Sequence, residues 1–310
     1  MEIDRLGIHD SVAAVFPPER LREFLASETH GGIDVAVIGD DGLGGVDGVV
    51  TLEHRDAFRD LEWIHSIQAG IDRFPLEALD ERGVVLTNST GIHGRSIGET
   101  VAGYLLAFAR RLHDHVAAGE RREWNRPEWD EAFTLSGTTA CIVGTGTLGR
   151  GVADVVGSLG VRTVGVRRSP DSLPEFEEMY ATETLHEAIA GPEFVVATVP
   201  LTADTEGLFD RAAFEAMAPE ARFVNVARGG VVDEPALVAA LESGSIAGAA
   251  LDVFETEPLP ESSPLWGFEE VIVTPHCGAY TRDYYRDVGE IVADNVARIE
   301  RDGEFRNRVV

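Results

Sequence analysis

With 310 residues, 44% of them hydrophobic, the chain is too long for one small domain, fits two of ordinary size and is no disordered polymer. Acidic side chains outnumber basic ones 54 to 26, the net charge is −28 and every fixed positive charge is an arginine, which argues against nucleic acid and against anionic membrane as partners. No apolar run approaches bilayer length, MEIDRLGIHD lacks the apolar core of a secretory signal, and Cys141 and Cys277 make no disulfide framework, so the cytoplasm is the expected location.

Along the chain, apolar β-rich runs alternate with amphipathic stretches, the pattern of parallel α/β sheets. PERLREFLAS and PLEALDE read as helices; VAVIG near Ile38, VDGVV near Val49, WIHSIQ near Ile67 and VVLTN near Val85 read as strands. Over 96–119 apolar residues recur at helical spacing, predicting one long helix that stops at a glycine. RREWNRPEWD then reads as a surface loop anchored by Trp124 and Trp129, with a pocket or dimer contact as the alternative. A second series follows, in which TTACIVG, VRTVGV, FVVATVP, RFVNVA, IAGAALDV and VIVTP each look like a buried strand, and 281–301 reads as a terminal helix.

CIVGTGTLGRGVADVVGSLG places Gly144, Gly146 and Gly149 in G-x-G-x-x-G spacing between a strand and a helix. Gly144 permits the tight turn, Gly146 lets backbone approach a pyrophosphate, and Gly149 lets helix pack on strand. The helix N-terminus at Thr147 and Leu148 attracts the phosphate charge. Alone, the triplet is also what an ordinary glycine-rich turn shows; with its strand, its helix and the next strand it reads as a dinucleotide site. An NAD site would place an acid at the end of that next strand. Here stand Arg167, Arg168 and Ser169, which suit a 2′-phosphate unless they form a solvated loop or pair with nearby acids such as Asp171. Charge complementarity favours NADP(H), with NAD(H) possible. The fingerprint lies near mid-chain. The expected organisation is therefore an α/β protein with a dinucleotide-binding domain, 100–278, inserted into a substrate domain, 1–99 with 279–310.

Three segments downstream carry acid–base chemistry: FVNVARGG with Arg228, LDVFETEPLP with Glu257, and VTPHC with His276. A guanidinium fork can grip a carboxylate and polarise the carbonyl beside it. An imidazole can protonate the developing alkoxide of a 2-keto acid, or act as base in reverse. A lone histidine is more often structural, and a carboxylate nearby that orients its ring changes that judgement.

Taken together, GTGTLGR, VPLTADTEGLFD, NVARGGVVDEPAL, ALDVFETEPLP, SPLW and TPHCGAYT resemble the D-isomer-specific 2-hydroxyacid dehydrogenase family in order and spacing through most of the chain. The resemblance implies two Rossmann-like domains, the substrate domain flavodoxin-like, an NAD(P)-dependent reaction in the cleft between them, and a homodimer. It implies that Glu257 partners His276, and that IQAGID binds the substrate carboxylate through the amides near Ala69 and Gly70. It places Val199, Pro200 and Thr205 along the nucleotide, Val226 and Ala227 beside the nicotinamide, Asp252 near its amide, and Arg228, His276 and Gly278 on the cofactor. NSTGIHGRSIGET departs from the family's Asn-containing pattern, and nothing is assigned to His93 or Arg95.

The expected activity is reduction of small 2-keto acids to (R)-2-hydroxy acids, with glyoxylate or hydroxypyruvate reduction open. Formate dehydrogenases of this fold have glutamine where Glu257 stands. Long phosphoglycerate dehydrogenases carry a further regulatory domain, whereas this chain ends soon after Arg301. A dinucleotide-sensing corepressor is the rival of another class. No metal is expected: His113 and His115 point to different helix faces, and Cys277 faces away from His276 on an extended segment.

Spread along the whole chain, the acidic excess repels itself at low ionic strength. At molar salt the Debye length falls to about 3 Å and the repulsion is screened. The composition thus points to a salt-rich cytoplasm of the kind halophilic archaea have. Thermal unfolding is expected at higher temperature in molar KCl than in low salt; equal melting temperatures would remove the salt argument.

Overall fold

The computed structural model describes residues 3–29, 32–301 and 303–310. The chain begins with β1 (Arg5–His9), α1 (Pro18–Glu28), β2 (Asp34–Ile38), β3 (Gly48–Thr51), β4 (Trp63–Ser66), α2 (Leu76–Asp80) and β5 (Val85–Asn88). It continues through α3 (Gly94–Ala109), α4 (Leu112–Glu120), β6 (Thr139–Val143), α5 (Thr147–Ser158), β7 (Arg162–Arg167), β8 (Glu178–Ala181), α6 (Leu185–Ile189) and β9 (Phe194–Ala197). Then come α7 (Arg211–Ala216), β10 (Arg222–Asn225), α8 (Glu234–Ser243), β11 (Gly248–Leu251), β12 (Val271–Val273) and α9 (Tyr284–Ile299). Two compact units result, 1–92 with 280–310, and 93–279.

The first unit is a parallel sheet of five strands in the order β2-β1-β3-β4-β5. Neighbouring residues on its strands bury on opposite faces, as the pleat requires. Val50, Trp63 and Val85 join Leu21 and Leu25 of α1 and Val288, Val292 and Val296 of α9. Val49, Ile64 and Leu86 face the other way, with Leu79 of α2. The Tyr284 hydroxyl on α9 donates to the Ile67 carbonyl at 2.6 Å and so anchors the chain just beyond β4. Strand β1 was not among the expected strands: four of its five residues are buried, but Arg5, Gly7 and His9 dilute its apolar pattern.

The second unit is a parallel sheet of seven strands in the order β12-β11-β10-β9-β6-β7-β8. One face carries Val152 and Val156 of α5 and Val101 and Leu105 of α3; the other carries Leu185 of α6, Phe214 of α7 and Leu237 of α8. Each large side chain sealed this way stabilises the unit by roughly 1.5–3 kcal/mol. Asp210 caps α7 through the Ala213 amide at 2.9 Å, and Asp233 caps α8 through the Ala236 amide at 3.0 Å. Edge strand β8 was also missed, because Glu178, Met179, Tyr180 and Ala181 show no apolar alternation and none is fully buried.

The helix expected over 96–119 is two helices. At Arg111 the backbone turns left-handed, with φ 53°. The turn lets the His113 ring pack on Phe108, 5.4 Å between centroids, and lets its Nδ1–H cap the Ala107 carbonyl at 3.3 Å. Helix α3 starts at Gly94 and lies along α5 so closely that a Cβ on Gly98 would stand 2.5 Å from the Gly151 carbonyl oxygen. Helix α3 thereby lies within the unit of residues 93–279. Trp124 and Trp129 anchor no loop; each is 91% exposed. No helix among the described residues is long and apolar enough to cross a membrane.

His65, fully buried on β4, lies 2.8 Å from Thr87 Oγ1 and 3.1 Å from Ser89 Oγ. Burial lowers its pKa to about 3. Above pH 6.5 the ring is neutral folded or unfolded. Below that, the unfolded chain takes a proton that the folded one refuses, so stability falls as pH drops from 6.5 toward 3. The slope from this group is about 1.4 kcal/mol per pH unit. Urea denaturation between pH 4 and 7 should show a shallower dependence in His65→Gln by about that amount; an unchanged slope would contradict the assignment.

Candidate active site

All strands of the seven-stranded sheet point their carboxyl ends the same way, and every candidate residue of this unit lies at or beyond that edge. The order reverses between β6 and β9, the place where doubly wound sheets open a crevice for a ligand.

Beyond β6 the chain turns at Gly144, with φ +100°, where a Cβ would also stand 2.9 Å from the backbone of Thr198 and Val199. Gly146 begins α5, with Thr147 and Leu148 in its first turn. A Cβ on Gly149 would stand 1.9 Å from the Gly144 oxygen, so only glycine lets α5 start this close to β6. The Thr198 hydroxyl at the end of β9 donates to the same Gly144 oxygen at 2.6 Å. Just beyond, Thr205 Oγ1 donates to the Pro200 carbonyl at 2.5 Å and accepts from the Thr202 amide at 2.8 Å, which sets the loop that carries Val199.

Gly144, Gly146, Arg167, Ser169, Val199 and Thr205 line one cavity, with Arg168 and Pro200 also on its wall. Arg167 and Arg168 enter no ion pair among the described residues, Asp171 included, whereas nearby Arg150 pairs with Glu175 at 2.6 Å and Arg162 with Glu178 at 2.7 Å. A backbone cradle at a helix start, beside two guanidiniums outside any ion pair among the described residues, suits the pyrophosphate of a dinucleotide.

Three neighbouring strands supply the acid–base set. Arg228 follows β10, Glu257 follows β11 and His276 follows β12. Gly229 abuts Phe254 so tightly that a Cβ there would lie 1.9 Å from the Phe254 carbonyl carbon, which joins the Arg228 turn to the loop beyond β11. The Phe254 amide donates to Glu257 Oε1 at 3.2 Å, and Glu257 Oε2 lies 2.8 Å from His276 Nδ1. A carboxylate only accepts, so Nδ1 carries the proton in this contact and Nε2 is the nitrogen left for exchange. Both side chains keep 29% exposure, enough to meet a ligand. Val226 and Ala227 are buried between β10 and Arg228. Asp252, 2% exposed, accepts the Cys277 amide at 3.0 Å and the Gly278 amide at 2.9 Å.

His93, left unassigned from the sequence, is 6% exposed at the start of α3; burial first, and then the Arg228 charge, lower its pKa to about 4. It therefore offers Arg228 a neutral neighbour. The signal available in the sequence was the departure of GIHG from the pattern usual at that place. Ala69 and Gly70 belong to the other unit, half-buried past β4, where Asn88 Nδ2 donates to the Ala69 carbonyl at 2.8 Å. Among the described residues no cluster of three or more potential ligands could hold a metal.

Residues 102–278 match the model for the D-isomer specific 2-hydroxyacid dehydrogenase NAD binding domain. A D-3-phosphoglycerate dehydrogenase of Methanocaldococcus jannaschii is 33% identical over 262 residues, 84% of this chain and 49% of that protein. The chain thus spans about half the length of that relative. A glyoxylate reductase of Pyrococcus furiosus is 33% identical over 251 residues, 78% of this chain and 73% of that one. The crystal structure of a D-isomer specific 2-hydroxyacid dehydrogenase from Xanthobacter autotrophicus Py2, in complex with NADPH and MES, superposes with a TM-score of 0.84 at 31% identity, covering 99% of this chain and 98% of that one.

Proposed function

The chain belongs to the D-isomer specific 2-hydroxyacid dehydrogenase family, and from that premise we propose that it reduces small 2-keto acids to (R)-2-hydroxy acids, reversibly and with NADPH in preference to NADH. The observation that carries this reading is the 2.8 Å contact of His276 with Glu257, on loops tied to the one that bears Arg228. When bound, the reduced nicotinamide supplies the hydride. Gly144, Gly146, Gly149 and the start of α5 would hold its pyrophosphate, and Arg167, Arg168 and Ser169 its 2′-phosphate. Arg228 grips the substrate carboxylate and polarises the adjacent carbonyl. His276 gives its Nε2 proton to the carbonyl oxygen, while Glu257 holds the ring and balances its charge. The amides of Ala69 and Gly70 keep the carboxylate role that their motif implies.

The NADPH preference is supported by Arg167 and Arg168 at the end of β7 and by the similar structure that binds NADPH. Glyoxylate stands among the candidate substrates because one relative is a glyoxylate reductase. Pairing of two copies belongs to the same proposal, and the exposed indoles of Trp124 and Trp129 offer apolar contact surface for it.

A panel of pyruvate, glyoxylate and 2-ketoisocaproate, run with NADPH and with NADH in molar KCl, tests the activity; no oxidation of either cofactor would refute it. His276→Ala should lower kcat about 10²- to 10⁴-fold while NADPH binding survives. Arg167→Asp should weaken NADPH far more than NADH, and equal affinity before and after that charge reversal would overturn the 2′-phosphate assignment.

A further inference from the structure

Thr274 follows β12, its amide bonded to the Leu251 carbonyl at 3.0 Å. Its hydroxyl lies 2.6 Å from the Tyr104 hydroxyl of α3 and 2.6 Å from Asp252 Oδ1. The carboxylate cannot donate, so the single hydroxyl proton of Thr274 goes to Asp252. Thr274 Oγ1 then accepts, and Tyr104 donates. Burial pushes the Tyr104 phenol well above its usual range, which keeps that proton in place. The donation therefore runs one way, from Tyr104 through Thr274 to Asp252, and each bond in such a chain polarises the next.

The far end of the chain holds the residues that follow His276. Asp252 Oδ1 also takes the Cys277 amide and Oδ2 takes the Gly278 amide. His276 itself has φ +52°, a left-handed conformation that L side chains rarely adopt and that needs surrounding structure to persist. Glu257 holds the ring of His276, and Asp252 holds the backbone just beyond it. We infer that Tyr104 is a positioning residue for His276, acting through Thr274 and Asp252 to hold the turn on which the imidazole is mounted. The inference rests on the proposed role of His276 as the proton donor.

Tyr104→Phe removes only the hydroxyl and keeps the ring that packs in the core. Hydrogen exchange at the Cys277 and Gly278 amides of the full chain is expected to speed up about three- to tenfold, as loss of one ordinary hydrogen bond implies, while amides of α5 stay unchanged. With the 2-keto acid that the parent turns over best, kcat should fall by a similar factor and the KM for NADPH should stay within about twofold. Thr274→Val should give the same local exchange, and Tyr104→Phe added to it should change nothing further. Unchanged exchange in Tyr104→Phe, exchange that quickens equally in α5, or effects of the two substitutions that add would each overturn the inference. A parent that reduces none of the acids would defeat the proposed function instead, and the exchange measurement would still decide whether Tyr104 holds the turn.

Discussion

The acid–base geometry depends on parallel pairing of β10, β11 and β12. Leu251 sits opposite Asn225 on one side and Val273 on the other, so the three strands end level and release their loops side by side. Only then can Gly229 press on Phe254, Glu257 bond the Phe254 amide, and the same carboxylate reach His276. A slip of one residue would turn each strand's side chains to the opposite face and separate the loops. The dinucleotide half obeys the same constraint on the other side of the sheet. There β6, β9 and β7 end beside one another, and Thr198 ties β9 to the glycine turn.

Charge gives this edge its second property. In a chain with net charge −28, acids are at hand to take up guanidiniums: Arg150 and Arg162 pair with glutamates of their own unit. Arg167 and Arg168 are left out of such pairs and line the cavity beside the glycine turn. A local positive spot within an acidic shell is what a protein of this composition needs to receive an anionic ligand, since the summed field would otherwise oppose its approach.

Strands buried on both faces were legible wherever the apolar run was continuous, as in β6 and β9, because parallel sheets demand such runs. Strand β1 escaped because Gly7 and two polar residues interrupt it, although it pairs with both β2 and β3. Periodicity also carried one helix straight through Arg111, since a change of φ at one residue leaves the pattern of apolar side chains intact. Trp124 and Trp129 look like anchors by residue type and hang in solvent by position. His93 lay in a segment that departs from its usual pattern, and only its burial near Arg228 gave it meaning.

The sequence by itself determined which chemical groups the protein owns and their order along the chain: the glycine turn, the paired arginines, and then Arg228, Glu257 and His276. Short motifs carry that information because a turn, a helix start or a strand end is decided by residues close together. Which groups touch was decided by tertiary structure alone. Glu257 meets His276 through the pairing of β11 with β12, and Tyr104 meets Thr274 across 170 residues through the packing of α3. Contacts of that kind follow from strand register and close helix packing, which arise only when distant segments condense on one sheet.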